Sequence, residues 1–244
     1  MESNEFLNDV HFQDVQEKNA LQVKTFFRNV YQYMFIALGI SGLTSWYLAS
    51  SGLFIDWFIT AEGGLSPLFY VVVFSPIALV FLIQAKVNSF SIGTLTALFV
   101  LYAALIGASI ASIFFVYSMG DIAITFFVAA GAFAGMAILG YTTSTDLSKM
   151  GSLLYMAFIG IFIAAIVNMF LGSEMLSYII SIVGVFVFTG LTAWEMQKLK
   201  IIATDPSLDS ETMKKMSLIG GLSLYILFVN LFLSLLRLLG GGRD

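Results

Sequence analysis

Charged residues divide this chain into pieces of one length class. Seven stretches contain no Asp, Glu, Lys or Arg, and each is at least about 20 residues long, the span of a bilayer core. They lie between Arg28 and Asp56, Glu62 and Lys86, Lys86 and Asp121, Asp121 and Asp146, Lys149 and Glu174, Glu174 and Glu195, and Lys215 and Arg237. Inside lipid the backbone must satisfy its own hydrogen bonds, so each stretch predicts a helix; the alternating pattern of a barrel is missing. The expected fold is an all-α integral membrane protein, a seven-transmembrane-helix bundle in one domain over residues 26–239. An acidic cytoplasmic tail at 1–25 precedes it, and a short tail at 240–244 follows.

Composition agrees. Hydrophobic residues make up 59% of the 244 and charged residues only 11%, against about 25% charge in soluble domains. That balance excludes a soluble enzyme, a disordered chain and a nucleic-acid binder. The 24 Phe suit a surface that faces lipid, and the absence of Cys removes disulfides, thiolate metal sites and a Cys nucleophile. The N-terminal segment carries Glu2, Glu5, Asp9, Asp14 and Glu17 with no early apolar core. It is therefore not a signal peptide, and the first span is expected to act as an uncleaved start.

Orientation follows from the basic residues. Lys18, Lys24 and Arg28 precede the first span, Lys86 follows the second, Lys149 the fourth, and Lys198, Lys200, Lys214 and Lys215 the sixth. Seven alternating spans place these nine of eleven on one side. The other side holds Asp56, Glu62, Asp121, Glu174, Arg237, Arg243 and Asp244. The positive-inside rule then predicts a cytoplasmic N-terminus and an outside C-terminus.

Connections are expected to be short except that from Lys198 to Lys215. There Asp205-Pro206 breaks a helix, and Ser207, Asp209 and Ser210 are N-cap candidates for a helical lead into the seventh span. Gly131-x-x-x-Gly135 permits close helix contact. Filling of the bundle is the favoured reading, a dimer face the other.

Little chemistry is available to the core. His11, the only histidine, reads as a solvated tail residue, which leaves haem, zinc, di-iron and Ser–His chemistry without a ligand or base. No Lys lies mid-span for a Schiff base, and no phosphate-binding Gly-Lys-Ser/Thr motif occurs. The expectation is a protein without enzymatic activity and without a cofactor. Glu195 stands out, near the cytoplasmic end of the sixth span. An intramembrane acid is a functional candidate by default, and burial favours its neutral form, which suits proton sensing. Position alone equally allows an interfacial Glu195 paired with Lys198 or Lys200. Asn168, Asn230 and Gln84 read as amides that join helices. Tyr225, Asn230 and Ser234 fall on part of one face of the seventh span. Trp46, Trp57 and Trp194 read as interface anchors.

Three segments carry a resemblance. The first is Val30-Tyr31-Gln32-Tyr33-Met34-Phe35 with Leu38-Gly39-Ile40-Ser41-Gly42. The second runs from Gly140-Tyr141-Thr142-Thr143-Ser144-Thr145-Asp146 to Gly151, followed by Ile166-Val167-Asn168. The third is Thr192-Ala193-Trp194-Glu195-Met196-Gln197-Lys198, followed by Leu224-Tyr225, Phe228-Val229-Asn230-Leu231-Phe232 and Leu235-Leu236-Arg237. From about Phe26 onward the chain resembles the bacterial branch of the transmembrane Bax inhibitor motif family. That resemblance implies a bundle with the seventh helix near its centre. It also implies a pH-sensitive Ca2+ leak in which two carboxylates, one each on helices 6 and 7, share a proton at the cytoplasmic end of the pore.

This chain departs from that pattern. Glu195 stands where the family usually has Asp, Leu227 stands at the second acid's position, and the second span has no Arg to pair with the cluster. The expected pore and pH-sensing residues are thus Glu195, Asn230 and Asn168, with Leu227 as the departed half of the dyad. Two functions follow from the resemblance. One is a leak for Ca2+ or another cation in the bacterial cytoplasmic (inner) membrane. The other is a non-conducting interaction protein that modulates stress responses or a membrane-bound protease. The lipid bilayer is an expected partner and nucleic acid is not.

Overall fold

The computed structural model describes residues 2–240, with side chains at residue 17 and from residue 19 onward. The expectations for His11, Lys18, Gly241, Gly242, Arg243 and Asp244 lie outside the described side chains. Nine helices are present among the described residues: α1 (Glu2–Ser50), α2 (Leu53–Phe58), α3 (Pro67–Lys86), α4 (Ile92–Ile110), α5 (Ile113–Val116), α6 (Met119–Thr142), α7 (Ser148–Leu171), α8 (Glu174–Ala203) and α9 (Ser210–Leu239). The one β pairing among these residues is an isolated antiparallel bridge between Ile59 and Leu65.

Six helical segments are long and apolar enough to cross a membrane: Pro67–Lys86, Ile92–Val116, Met119–Thr142, Ser148–Leu171, Glu174–Ala203 and Ser210–Leu239. They match the second to seventh charge-free stretches. The first stretch lies within α1, where Tyr31, Gln32, Tyr33, Ser41, Thr44, Ser45, Trp46 and Tyr47 dilute the apolar run. This section of α1 packs beside α4 and α9.

α9 is the centre of the bundle. It packs against α8, α1, α6 and α4, and most of its apolar section is buried, whereas that of α7 is not. Leu218, Leu222, Leu224, Tyr225, Leu231 and Leu236 form its buried side. α7 lies at the periphery and packs chiefly on α8. Helices that line the centre of a membrane bundle approach closely where side chains are small. Gly107 lies against the backbone of Ser41, Gly140 against that of Ala193, and Gly221 against Val30 and Tyr33.

Three expectations need correction. Gly131 and Gly135 are exposed, and a methyl group added at either would meet nothing, so that stripe faces away from the bundle. Gln84 is exposed at the end of α3 and joins no helices among the described residues. The connection expected to be long shrinks to residues 204–209, because α8 and α9 continue as helices beyond the apolar region. Helical backbone needs no lipid to persist where charged side chains reach water. Asp209 caps α9 as expected, its carboxylate accepting from Thr212 N at 3.2 Å.

Candidate functional site

Residues far apart in sequence build one end of the bundle. The α6–α7 turn meets the last turns of α8. Gln197 bridges them: its Oε1 accepts from Leu147 N and its Nε2 donates to Thr145 O, both at 2.8 Å. Lys200 Nζ donates to Tyr141 O at 2.9 Å and stands 5.2 Å from the centre of the Tyr141 ring. Gly140 and Gly151 leave room for Ala193 and Trp194. Trp194, expected at the lipid interface, thus packs across α7, whereas Trp46 and Trp57 are half-exposed. Within the turn, Asp146 accepts from Ser148, which holds its carboxyl below the usual range.

Glu195 belongs to the same last turns of α8. The residue is 5% exposed, flanked on α8 by the buried Thr192, Ala193, Met196 and Leu199. Its carboxylate lies 2.6 Å from Lys198 Nζ, one helical turn along. The acid is buried, and of the two lysines considered as partners it pairs with Lys198. A carboxylate removed from water needs such a partner, because an isolated buried charge is far more costly than a paired one. Lys198 reaches it from a half-exposed position, with its ammonium also 5.2 Å from the centre of the Trp194 ring.

The other expected residues lie elsewhere. Gly184 meets Ser234, and Leu199 meets Gly220, so α8 and α9 run antiparallel with Glu195 level with Ser223 and Leu224. Leu227 is about one turn further along α9, partly buried against the apolar core. Asn230 Nδ2 donates to Ile226 O at 2.8 Å, so its amide is turned onto its own helix rather than bridging helices as expected. Asn168 does join two helices. Its Nδ2 donates to Ser177 Oγ at 2.6 Å and Ser173 O at 3.1 Å, and its Oδ1 accepts from Ser173 N at 3.1 Å. It secures the turn after α7, where Gly172 takes a left-handed conformation at φ +64°. Ser177 and Glu195 are eighteen residues apart on α8, about 27 Å along the axis. Asn168 and Glu195 therefore mark opposite ends of the bundle.

A packed layer lies between those ends. Ser41 Oγ and the Tyr225 hydroxyl are hydrogen-bonded, and Ser41 also donates toward Ala37 O and Ala103 O, at 2.9 and 2.8 Å. Phe133 packs edge-on against Phe228 at 5.6 Å, and Phe126 against Phe228 at 5.4 Å. Beyond this layer a cavity of about 530 Å3 holds Asn168, Glu174, Ser177 and Arg237 at its wall. Arg237 reaches Ser181 Oγ at 3.4 Å. The sequence reading gave no role to Gln197, Ser41 or Gly107, and named Lys200 only as a possible partner of Glu195.

Six long apolar helices, one of them the buried centre of the bundle, together with a buried acid define a multi-pass membrane protein. The family model described as inhibitor of apoptosis-promoting Bax1 matches residues 23–244, and the chain belongs to that family. Inner membrane protein YbhL of Escherichia coli K12 is 41% identical over 230 residues, covering 94% of this chain and 96% of the relative. An uncharacterized protein of Borreliella burgdorferi is 42% identical over 230 residues, with 94% and 97% covered. One from Caulobacter vibrioides is 36% identical over 226 residues, with 91% and 90% covered.

Proposed function

We propose that this chain is a cation leak, with Ca2+ as the permeant ion, in the bacterial inner membrane, closed at its cytoplasmic end by Glu195 and Lys198. The proposal includes seven crossings, the first being the 29–50 section of α1, and a cytoplasmic N-terminus. The similarity to an inner membrane protein supports the location. The observation that carries the reading is a buried carboxylate joined to a half-exposed lysine at the end of the central helix pair.

In this reading the closed state has the acid neutralised by Lys198 and the apolar layer at Tyr225 and Phe228 packed. Breaking that pair frees α8 to shift against α9, and any response to pH lacks the steepness of two carboxylates that share a proton, because Leu227 stands at the second position. The second reading, a non-conducting interaction protein acting on a stress response or a membrane-bound protease, is favoured by Leu227. An apolar side chain there offers no oxygen to a cation, which prefers several.

Ca2+ entry into liposomes containing the purified protein, at pH 6 and pH 8, tests the two readings. Flux that changes with Glu195→Gln supports the leak. Absence of flux at both pH values, restored by Leu227→Asp, supports the interaction protein.

A further inference from the structure

At the basic end of the bundle, α1 and α6 flank a slot whose floor is α8. Its volume is about 660 Å3, inside the range of about 300–1,000 Å3 usual for small-ligand sites. Phe27 and Tyr31 of α1, Ala137 and Ile138 of α6, and Met196 of α8 make its wall apolar. Its mouth is polar and cationic. Lys24 lines it from α1 and is exposed, with no carboxylate partner among the described side chains. Tyr141 lines it from α6 and carries Lys200, whose ammonium bonds the Tyr141 carbonyl and lies beside its ring. That charge too has no carboxylate partner among the described side chains. Two cations without a carboxylate partner among the described side chains thus stand at the rim of an apolar slot in a bundle of membrane-spanning helices.

We infer that this slot holds one anionic phospholipid, its acyl chain between α1 and α6 and its phosphate between Lys24 and Lys200. The charge pattern selects the occupant. A neutral lipid would fill the apolar part but leave both lysines without a counterion. A small free anion would meet the lysines and leave the slot empty. An anionic lipid satisfies both, and basic residues at a membrane surface favour anionic headgroups. The site rests on the slot and its rim and is independent of whether the chain conducts ions. It does touch the same helix as the candidate gate: Met196 follows Glu195, and the Tyr31 hydroxyl contacts its sulfur at 3.8 Å.

The test is native mass spectrometry of the full chain in detergent, titrated with phosphatidylglycerol and with phosphatidylcholine of identical acyl chains. Phosphatidylglycerol is expected to bind as one tight equivalent. Lys24→Gln and Lys200→Gln should each weaken it by about fivefold. Ile138→Trp fills the slot from a position that is already exposed, and should remove the tight equivalent while the thermal midpoint stays unchanged. Equal retention of the two lipids overturns the inference. So does a preference for phosphatidylglycerol that survives Ile138→Trp, which means diffuse attraction to the basic end. Equal binding of glycerol phosphate alone overturns it as well, by reducing the site to the two lysines.

Discussion

Lys198 reaches inward to Glu195, with a 2.6 Å contact between a lysine side chain that is 44% exposed and a carboxylate side chain that is 6% exposed. The two partners therefore have unequal alternatives. Released from the pair, the lysine can turn to water, whereas the carboxylate stays inside the protein. Truncating the lysine leaves a buried anion; replacing the acid by an amide leaves a neutral group. Lys198→Met is expected to lower stability by about 1–3 kcal/mol, less than for a wholly buried pair because Lys198 is partly solvated. Glu195→Gln should be clearly milder, and the double variant should recover most of the lysine loss. Unfolding in detergent of the two single variants and the double variant measures this cycle, and equal losses in the two single variants would count against it.

The same pair sets the expected steepness of any proton response. Flux should change across pH with the slope of no more than one proton, because Glu195 has Leu227 about one turn away and no second acid there. Leu227→Asp should steepen that slope toward two coupled protons. Flux traced at half-unit intervals between pH 5 and pH 8 in both proteins, about seven points each, resolves the two slopes.

How legible this arrangement was depended on which physical property each residue expressed. Spans two to seven were readable because charge is excluded from lipid over a fixed length, and no partner alters that. The section of α1 was harder, since its tyrosines and serines are polar by composition and yet Ser41 and Ser45 are buried. Glycine faces were not readable at all. Gly131 and Gly135 have the spacing of a close contact and face outward, whereas Gly140 and Gly107 have no such spacing and sit against backbone. Asn168 and Asn230 look alike in sequence; only the turn after α7 gives the first a neighbouring helix to bond. Glu195 is both buried and paired with Lys198, which its position along the chain alone does not reveal.

Those glycines make a direct comparison. A methyl group at Gly140 would collide with the Ala193 backbone, and one at Gly151 with the Trp194 ring. Overpacking of this kind usually removes about 1–3 kcal/mol. Gly140→Ala should reach the upper end, since backbone cannot swing aside as a ring does. Gly131→Ala and Gly135→Ala should be neutral or slightly stabilising in the same thermal assay. A loss at Gly131 as large as that at Gly140 would mean that another surface covers the outward stripe.

Acid sensitivity outside the membrane has a separate source. Hydrogen bonds from Ser207 to Asp205 and from Thr212 to Asp209 favour the charged carboxylates and hold both carboxyls below the usual range. A lowered folded-state value contributes stability above the ordinary carboxylate range, and that contribution is lost as pH falls through and below it. Asp209→Asn keeps an N-cap acceptor but removes the titration. Its thermal midpoint should therefore match the parent's at neutral pH less closely than at acid pH, where the parent's cap is also uncharged.

The centre of the bundle offers the sharpest asymmetry. Ser41 retains two carbonyl partners, Ala37 O and Ala103 O, when the Tyr225 hydroxyl is removed. Tyr225 has no bonded partner other than Ser41 among the described residues, and its side chain is fully buried. Tyr225→Phe therefore breaks one bond and strands nothing, and should lower stability by about 0.5–1.5 kcal/mol. Ser41→Ala strands a buried phenol and should lower it further, by about 1–3 kcal/mol. The small volume change at Ser41 makes this order informative, since packing alone would rank the tyrosine substitution as at least equal. Unfolding of the two variants in the same detergent decides between them. If Tyr225→Phe proves the more damaging, the hydroxyl has a second partner, and the apolar layer around Phe228 is wetter than its packing implies.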